Sequence, residues 1–221
     1  MEETVEFFEK LLSTPQELDD ELSMYLERLP SGFLVLRHPL VFSVPHSPAK
    51  NALLNYELKT KKKRLSHALK EKDYETFLWT HERPYRCRAF DKIKSKFSDA
   101  DYWKTLGEIW VDSENIWQDV DLWKKFLSSK RPDRNKIMSE EDLAVFDKLP
   151  SNITIYRGQL SGRTPTFSWT LNEEKAEWFA NRYFTKKRSD VNAEVLTKVI
   201  NKVDVLAYFG GRGEQEIVIL K

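Results

Sequence analysis

Two glutamates, Glu214 and Glu216, stand two residues apart at the head of the apolar run 217–220, directly after the turn Gly210-Gly211-Arg212-Gly213. On an extended chain residues i and i+2 face the same way, so a strand here would aim both carboxylates at one place. Fixed carboxylates suit proton transfer and the stabilisation of a growing positive charge. Two other short stretches could share such a site. Tyr156-Arg157-Gly158 offers a planar, permanently charged fork that suits a diphosphate, followed by a residue without a Cβ. Phe167-Ser168-Trp169-Thr170 places Ser168 and Thr170 on one face of a strand and turns Trp169 to the other, toward a core. Each stretch alone is ordinary. In this order, on three strand-like segments with a helix after the second, they become specific.

Other chemistries find less support. His38, His46, His67 and His81 have no metal-ligand spacing, and with one cysteine no zinc pattern exists, so no metal is expected. The glycines at 210–213 precede a strand rather than a helix, which excludes both common phosphate-loop patterns and leaves a free turn. No elbow sequence supports Ser-His-Asp catalysis. Cys87 excludes an internal disulfide and reads as a plain thiol beside Tyr85 and Arg86. The basic run KTKKKR, 59–64, reads first as a solvated helix face and second as a phosphate or nucleic-acid contact. Trp103, Trp110, Trp117 and Trp123 read as core and helix-packing residues ahead of a base-stacking platform.

The elements that must position these residues follow from patterning. Apolar spacing predicts a helix over 5–12, and Pro15 opens a second helix to about 29. The stretch 31–45 looks extended, a hairpin around Arg37-His38-Pro39. Helices are expected over 73–81, 99–112 and 116–127, and another after Ser139. Beyond Pro150 the texture turns to strands at ITIYRG, TFSWT, AEVLTKVIN, KVDVLAYF and GEQEIVIL, with one helix capped by Asn172. The expected class is α+β: a helical N-terminal region, 1–149, packed with a small mixed or antiparallel β core at 150–221. The length of 221 residues, 40% of them hydrophobic, suits one domain or one and a half. A net charge of +1 argues against bulk attraction to nucleic acid. The acidic, amphipathic N-terminus is not a signal peptide, and no run is long enough for a membrane span, so a cytoplasmic protein without membrane contact is expected.

The three stretches resemble the arginine-serine-glutamate class of mono-ADP-ribosyltransferases, over about 153–221. In that family an Arg on the first core strand is followed by a Ser-x-Ser/Thr strand and then a Glu-x-Glu or Gln-x-Glu strand. The resemblance implies an ADP-ribosyltransferase-type β core, short here and completed by helices before Pro150. It implies NAD as substrate, with no metal. Glu216 would stabilise the oxocarbenium-like ribose, with Ser168 holding it. Arg157 would take the diphosphate and ribose edge, and Gly158 would bring its backbone to the nicotinamide amide. Thr170 would support the cofactor side. Glu214 would serve the acceptor, and a Glu at this position goes with arginine. Tyr208 and Phe209 lie where the family recognises its target, and Lys186, Lys187 and Arg188 where its mobile loop nears the NAD phosphates. The expected acceptor is a macromolecule, protein arginine first and RNA or DNA second. The rival readings are NAD hydrolysis with water as acceptor and a non-enzymatic helical interaction module. A toxin or phage host-takeover role would suit the size, and a toxin would bring an antitoxin partner.

Overall fold

The computed structural model describes residues 6, 9, 11, 13–114, 116–164, 166–182 and 192–220. The chain is α+β, with two antiparallel sheets. It divides into two compact units, Met1–Ile93 and Lys94–Lys221. The change of texture at Pro150 is therefore not the division: the helices between 99 and 147 belong to the same unit as the C-terminal strands.

In the first unit a short helix α1 (Asp20–Ser23) is capped by Asp19, whose side chain accepts from the Glu21 N–H at 2.9 Å. The helix expected to run on to 29 stops there. Leu26–Arg28 forms β1 instead, because its backbone finds a partner in β2 (Leu34–His38), which in turn pairs with β3 (Val41–Pro45). The hairpin around Arg37-His38-Pro39 is thus present, with a third strand the local pattern did not show. The helix expected over 5–12 falls mostly outside the described residues. Three helices follow: α2 (Asn51–Lys70), α3 (Tyr74–Thr80, capped by Asp73) and α4 (Arg86–Ile93). Leu22, Leu36, Leu40, Val41, Leu54 and Leu58 form one apolar cluster. Cys87 is buried on α4.

Two buried histidines make this unit sensitive to acid. The Leu40 N–H donates to His38 Nδ1 at 3.1 Å, which leaves Nε2 to face Glu21 at 3.2 Å, and His81 Nδ1 faces the Phe77 carbonyl at 2.8 Å. Burial lowers both imidazoles below the ordinary histidine range, against the opposing pull of Glu21 on His38 and of the Phe77 carbonyl on His81. A histidine depressed in the folded state contributes stability that is present above its unfolded pKa of about 6.5 and is lost as pH falls through the folded value. The melting temperature of this unit is therefore expected to be flat above pH 7 and to fall on acidification below about pH 6.5, with the slope reduced in His38→Gln.

The second unit begins with α5 (Asp99–Asp112) and α6 (Val120–Leu127). The helix expected from 116 starts late, since 116–119 is a tight 3₁₀ turn. Trp103, Trp110 and Trp123 are buried as expected, but Trp117 on that turn is 67% exposed. The segment at 131–137 is fastened to α5. Trp103 Nε1 donates to the Pro132 carbonyl at 2.8 Å, and the Arg131 guanidinium bonds Asp99 and lies over the Tyr102 ring. Gly107 is the contact point, because a Cβ there would come 2.0 Å from the Ile137 carbonyl oxygen. Helix α7 (Glu140–Asp147) is capped by Ser139. The five-stranded sheet comprises β4 (Asn152–Leu160), β5 (Ser168–Thr170), β6 (Ala193–Asn201), β7 (Val205–Phe209) and β8 (Glu216–Ile219), in the order β6-β4-β5-β8-β7. Between β5 and β6 runs α8 (Glu173–Asn181), whose N-cap Asn172 accepts from the Lys175 N–H at 3.0 Å. Among the described residues no helix is long and apolar enough to cross a membrane.

Candidate active site

The site is assembled where β4, β5 and β8 lie side by side. Strands β5 and β8 pair antiparallel, with Ser168 opposite Val218 and Thr170 opposite Glu216. Ser168, Thr170 and Glu216 therefore share one face, and Trp169 faces the other way with Ile217. Ser168 and Glu216 are diagonal neighbours, a separation a glutamate side chain spans. The Ser168 hydroxyl donates to Glu216 Oε1 in a short hydrogen bond. The other oxygen, Oε2, accepts from Trp110 Nε1 at 3.1 Å. Trp110 comes from α5, 106 residues away in sequence, and is 2% exposed. Its ring is fixed by an edge-to-face contact with Trp123, centroids 5.1 Å apart. Glu216 is thus held from the sheet on one side and from a helix on the other. Trp110 is legible in sequence as core; nothing local marks it as a donor to the site.

Arg157 stands next to this pair. The ladder between β4 and β5 consists of one residue pair, Tyr156–Thr170, whereas β4 and β6 pair along the whole of β4. From Arg157 onward β4 and β5 part, and the guanidinium fills the start of the gap. It donates through Nη1 to the Ser168 carbonyl in a short bond and through Nε to Gln159 Oε1 at 3.3 Å. Gln159 is itself fixed, donating to Glu194 Oε1 at 2.9 Å and to the Arg163 carbonyl at 2.6 Å. Nη2 has no partner among the described residues, which leaves one edge of the fork for a ligand. Burial pushes the Arg157 guanidinium down from the ordinary arginine range and the Glu216 carboxylate opposes that; arginine keeps its charge across any such shift at neutral pH.

Several expected site residues sit otherwise than sequence spacing implies. Glu214 is not on the strand. Residues 211–213 form a 3₁₀ turn that Glu214 closes with helical angles, and Gln215 has a left-handed φ of 45°. The strand begins at Glu216, so the i, i+2 rule does not apply and the two glutamates do not share a strand face. Thr170 pins this turn: its hydroxyl donates to the Glu214 carbonyl at 2.6 Å and accepts from the Asn172 N–H at 3.0 Å. That side chain is buried and its proton is committed, so it shapes the site rather than offering a donor to a cofactor. Gly158 is required by packing: a Cβ would lie 1.8 Å from the Ala176 carbonyl oxygen and 2.6 Å from the Ala180 nitrogen, both in α8. Tyr208 and Phe209 are 5% and 4% exposed, so they are core and not handles for a target. Burial and the nearby Asp142 raise the Tyr208 phenol above its ordinary range. Asp142, which in sequence marks only a helix start, accepts from the Gly210 N–H at 2.8 Å and so ties the 210–213 turn to α7. Lys186, Lys187 and Arg188 lie outside the described residues.

The weight of the Trp110 contact is measurable. Trp110→Phe keeps an aromatic ring against Trp123 and removes one N–H donor to a carboxylate, an interaction worth about 1.5 kcal/mol or more. We expect turnover of any chemistry run by Glu216 to fall about tenfold, with KM little changed and folding retained by circular dichroism. Loss of fold without a change in turnover per folded molecule would mark Trp110 as packing alone.

No protein-family model matches the chain, and no curated protein or solved structure is significantly similar to it.

Proposed function

We propose that the C-terminal unit is a mono-ADP-ribosyltransferase of the arginine-serine-glutamate class, with a sheet of ADP-ribosyltransferase type, which uses NAD as substrate and transfers ADP-ribose to a macromolecular acceptor, protein arginine favoured. The observation that carries this reading is the Glu216 carboxylate, fixed through Ser168 on one oxygen and Trp110 on the other, beside an Arg157 whose outer edge is open. A ligand with a diphosphate and a sugar that becomes cationic matches that pairing of charges.

The chemistry follows from the charges. The bond between nicotinamide and ribose C1′ breaks, and its electron pair leaves on the nicotinamide nitrogen. Positive charge spreads over C1′ and the ring oxygen, as in glycoside hydrolysis. A carboxylate already oriented by two donors meets this charge without having to reorganise, which is where electrostatic catalysis gains most. Arg157, positioned by Gln159 and the Ser168 carbonyl, supplies the cationic fork for the diphosphate. The acceptor nitrogen then bonds to C1′ and gives up its proton. Glu214, half-buried on the turn that Thr170 and Asp142 hold in place, is the group assigned to receive it. Glu214→Gln is expected to lose at least nine-tenths of arginine transfer while nicotinamide release continues at more than half the rate; equal loss of both would assign Glu214 to the donor side.

The reading is tested by label transfer from tagged NAD with the full-length chain in a cell lysate, Glu216→Gln serving as control. Label that protease removes and nuclease leaves supports a protein acceptor. Label removed by nuclease moves the acceptor to RNA or DNA. Nicotinamide release without label means hydrolysis. Neither label nor nicotinamide would overturn the reading and leave the interaction module in its place.

A further inference from the structure

The first unit carries a second feature, independent of the transferase reading. Five of the six residues 59–64 are cationic, on a chain whose net charge is only +1. The structure sorts them. Lys61 is consumed by Glu57 and Glu82, at 3.0 and 2.7 Å, and Lys62 is paired with Glu21. Lys59 and Lys63 are exposed and have no partner among the described residues. They stand one helical turn apart on the same face of α2, about 6 Å along its axis.

Both line a groove of about 550 Å³ together with Lys62, Ser66, Asn55 and the buried Leu58. Asp19, from the segment before α1, also lines it, and that segment is hydrogen-bonded to α2. Asn55 accepts from the Asp19 N–H at 2.8 Å and donates to the Glu17 carbonyl at 2.8 Å, while Asn51 donates to the Gln16 carbonyl at 3.0 Å. The Asp19 carboxylate, the one acidic group lining the groove among the described residues, is turned to capping α1. The concavity is therefore lined by Lys59, Lys62 and Lys63, of which Lys59 and Lys63 have no ion-pair partner among the described residues.

We infer that this groove binds the phosphate backbone of single-stranded nucleic acid. Neighbouring phosphates repeat along one strand on the scale of a helical turn, and a compact ammonium is a point-charge partner for each. Among the described residues no aromatic side chain lines the groove, so the contact reads backbone charge rather than base sequence. A membrane surface fits less well. A helix that lies in a bilayer interface needs an apolar face to insert, and Leu54 and Leu58 of α2 are buried in the unit's own core.

The test is binding of a fluorescein-labelled, mixed-sequence 20-nucleotide RNA to the full-length chain without NAD, by anisotropy across a salt series. Lys59→Glu/Lys63→Glu should weaken binding at least tenfold. Lys59→Gln/Lys63→Gln should reduce the slope of log affinity against log salt by about 1.4, some 0.7 for each phosphate of a single strand that is no longer neutralised. A charge-matched control, Lys124→Glu/Lys198→Glu, should leave affinity within twofold. Equal losses in the control and groove variants, no RNA binding at all, or binding to phosphatidylserine vesicles in place of RNA would each overturn the inference. None of these outcomes depends on catalysis, so the transferase reading stands or falls separately.

Discussion

Replacing Glu216 by glutamine is expected to lower ADP-ribose transfer and nicotinamide release together by at least about a hundredfold, the scale on which removal of one preorganised electrostatic group acts. The substitution keeps size and shape and deletes charge. Its amide oxygen can still accept from Trp110 while its NH₂ group donates to the Ser168 hydroxyl, which can turn to accept. Both contacts then persist as neutral hydrogen bonds, weaker than those to a carboxylate, so the protein should still fold, with a melting temperature within a few degrees of the parent's. The measurement is nicotinamide release alongside a thermal melt of the same preparation. If more than a tenth of the activity survives in a folded protein, another group stabilises the ribose charge and the assignment of Glu216 is wrong.

The second large effect is on stability. Gly158→Ala inserts one carbon between β4 and α8, at 1.8 Å from the Ala176 carbonyl oxygen and 2.8 Å from its carbon. These are backbone atoms, so no side chain can rotate to relieve the overlap, and the helix must lift from the strand. Overpacking of this kind costs upwards of about 3 kcal/mol, which for a unit of this size lowers the melting temperature by roughly 6–12 °C. The same variant separates two explanations of the glycine. If Gly158 matters only because its backbone approaches a ligand, the alanine protein melts normally and shows a raised KM for NAD. If packing sets the requirement, the melt moves and α8 loses hydrogen-exchange protection.

What could be read from the sequence was local. The helix 173–181 announces itself by its cap Asn172 and its apolar face, and the helix 99–112 by aromatic residues at helical spacing, to which the structure adds Ser98 as the cap. Strand β6 is bounded where its pattern of residues is bounded. The grouping of Arg157, Ser168 and Glu216 was also legible, through the order of three short stretches, although no single residue among them is distinctive. The rest depends on pairing at long range. Leu26–Arg28 reads as the end of a helix until β2 offers its backbone a partner. Glu214 reads as part of a strand because alternation carries no information on the sign of φ, and a left-handed glutamine leaves no mark in a hydropathy pattern. Trp117 and Trp110 look alike in sequence, yet one is exposed and the other touches the site, since burial is decided by what lies opposite. The division at Ile93 falls inside a run of helices, where composition does not change.

The Trp110 bond to Glu216 bears on what can be moved as a piece. A segment cut at Pro150 would carry every residue of the three stretches and would still lack the indole that orients one carboxylate oxygen, together with the α7 aspartate that ties down the 210–213 turn. The smallest portable cassette is therefore Lys94–Lys221, and a hybrid that grafts the three stretches onto a foreign helical scaffold would inherit the reacting groups without their alignment.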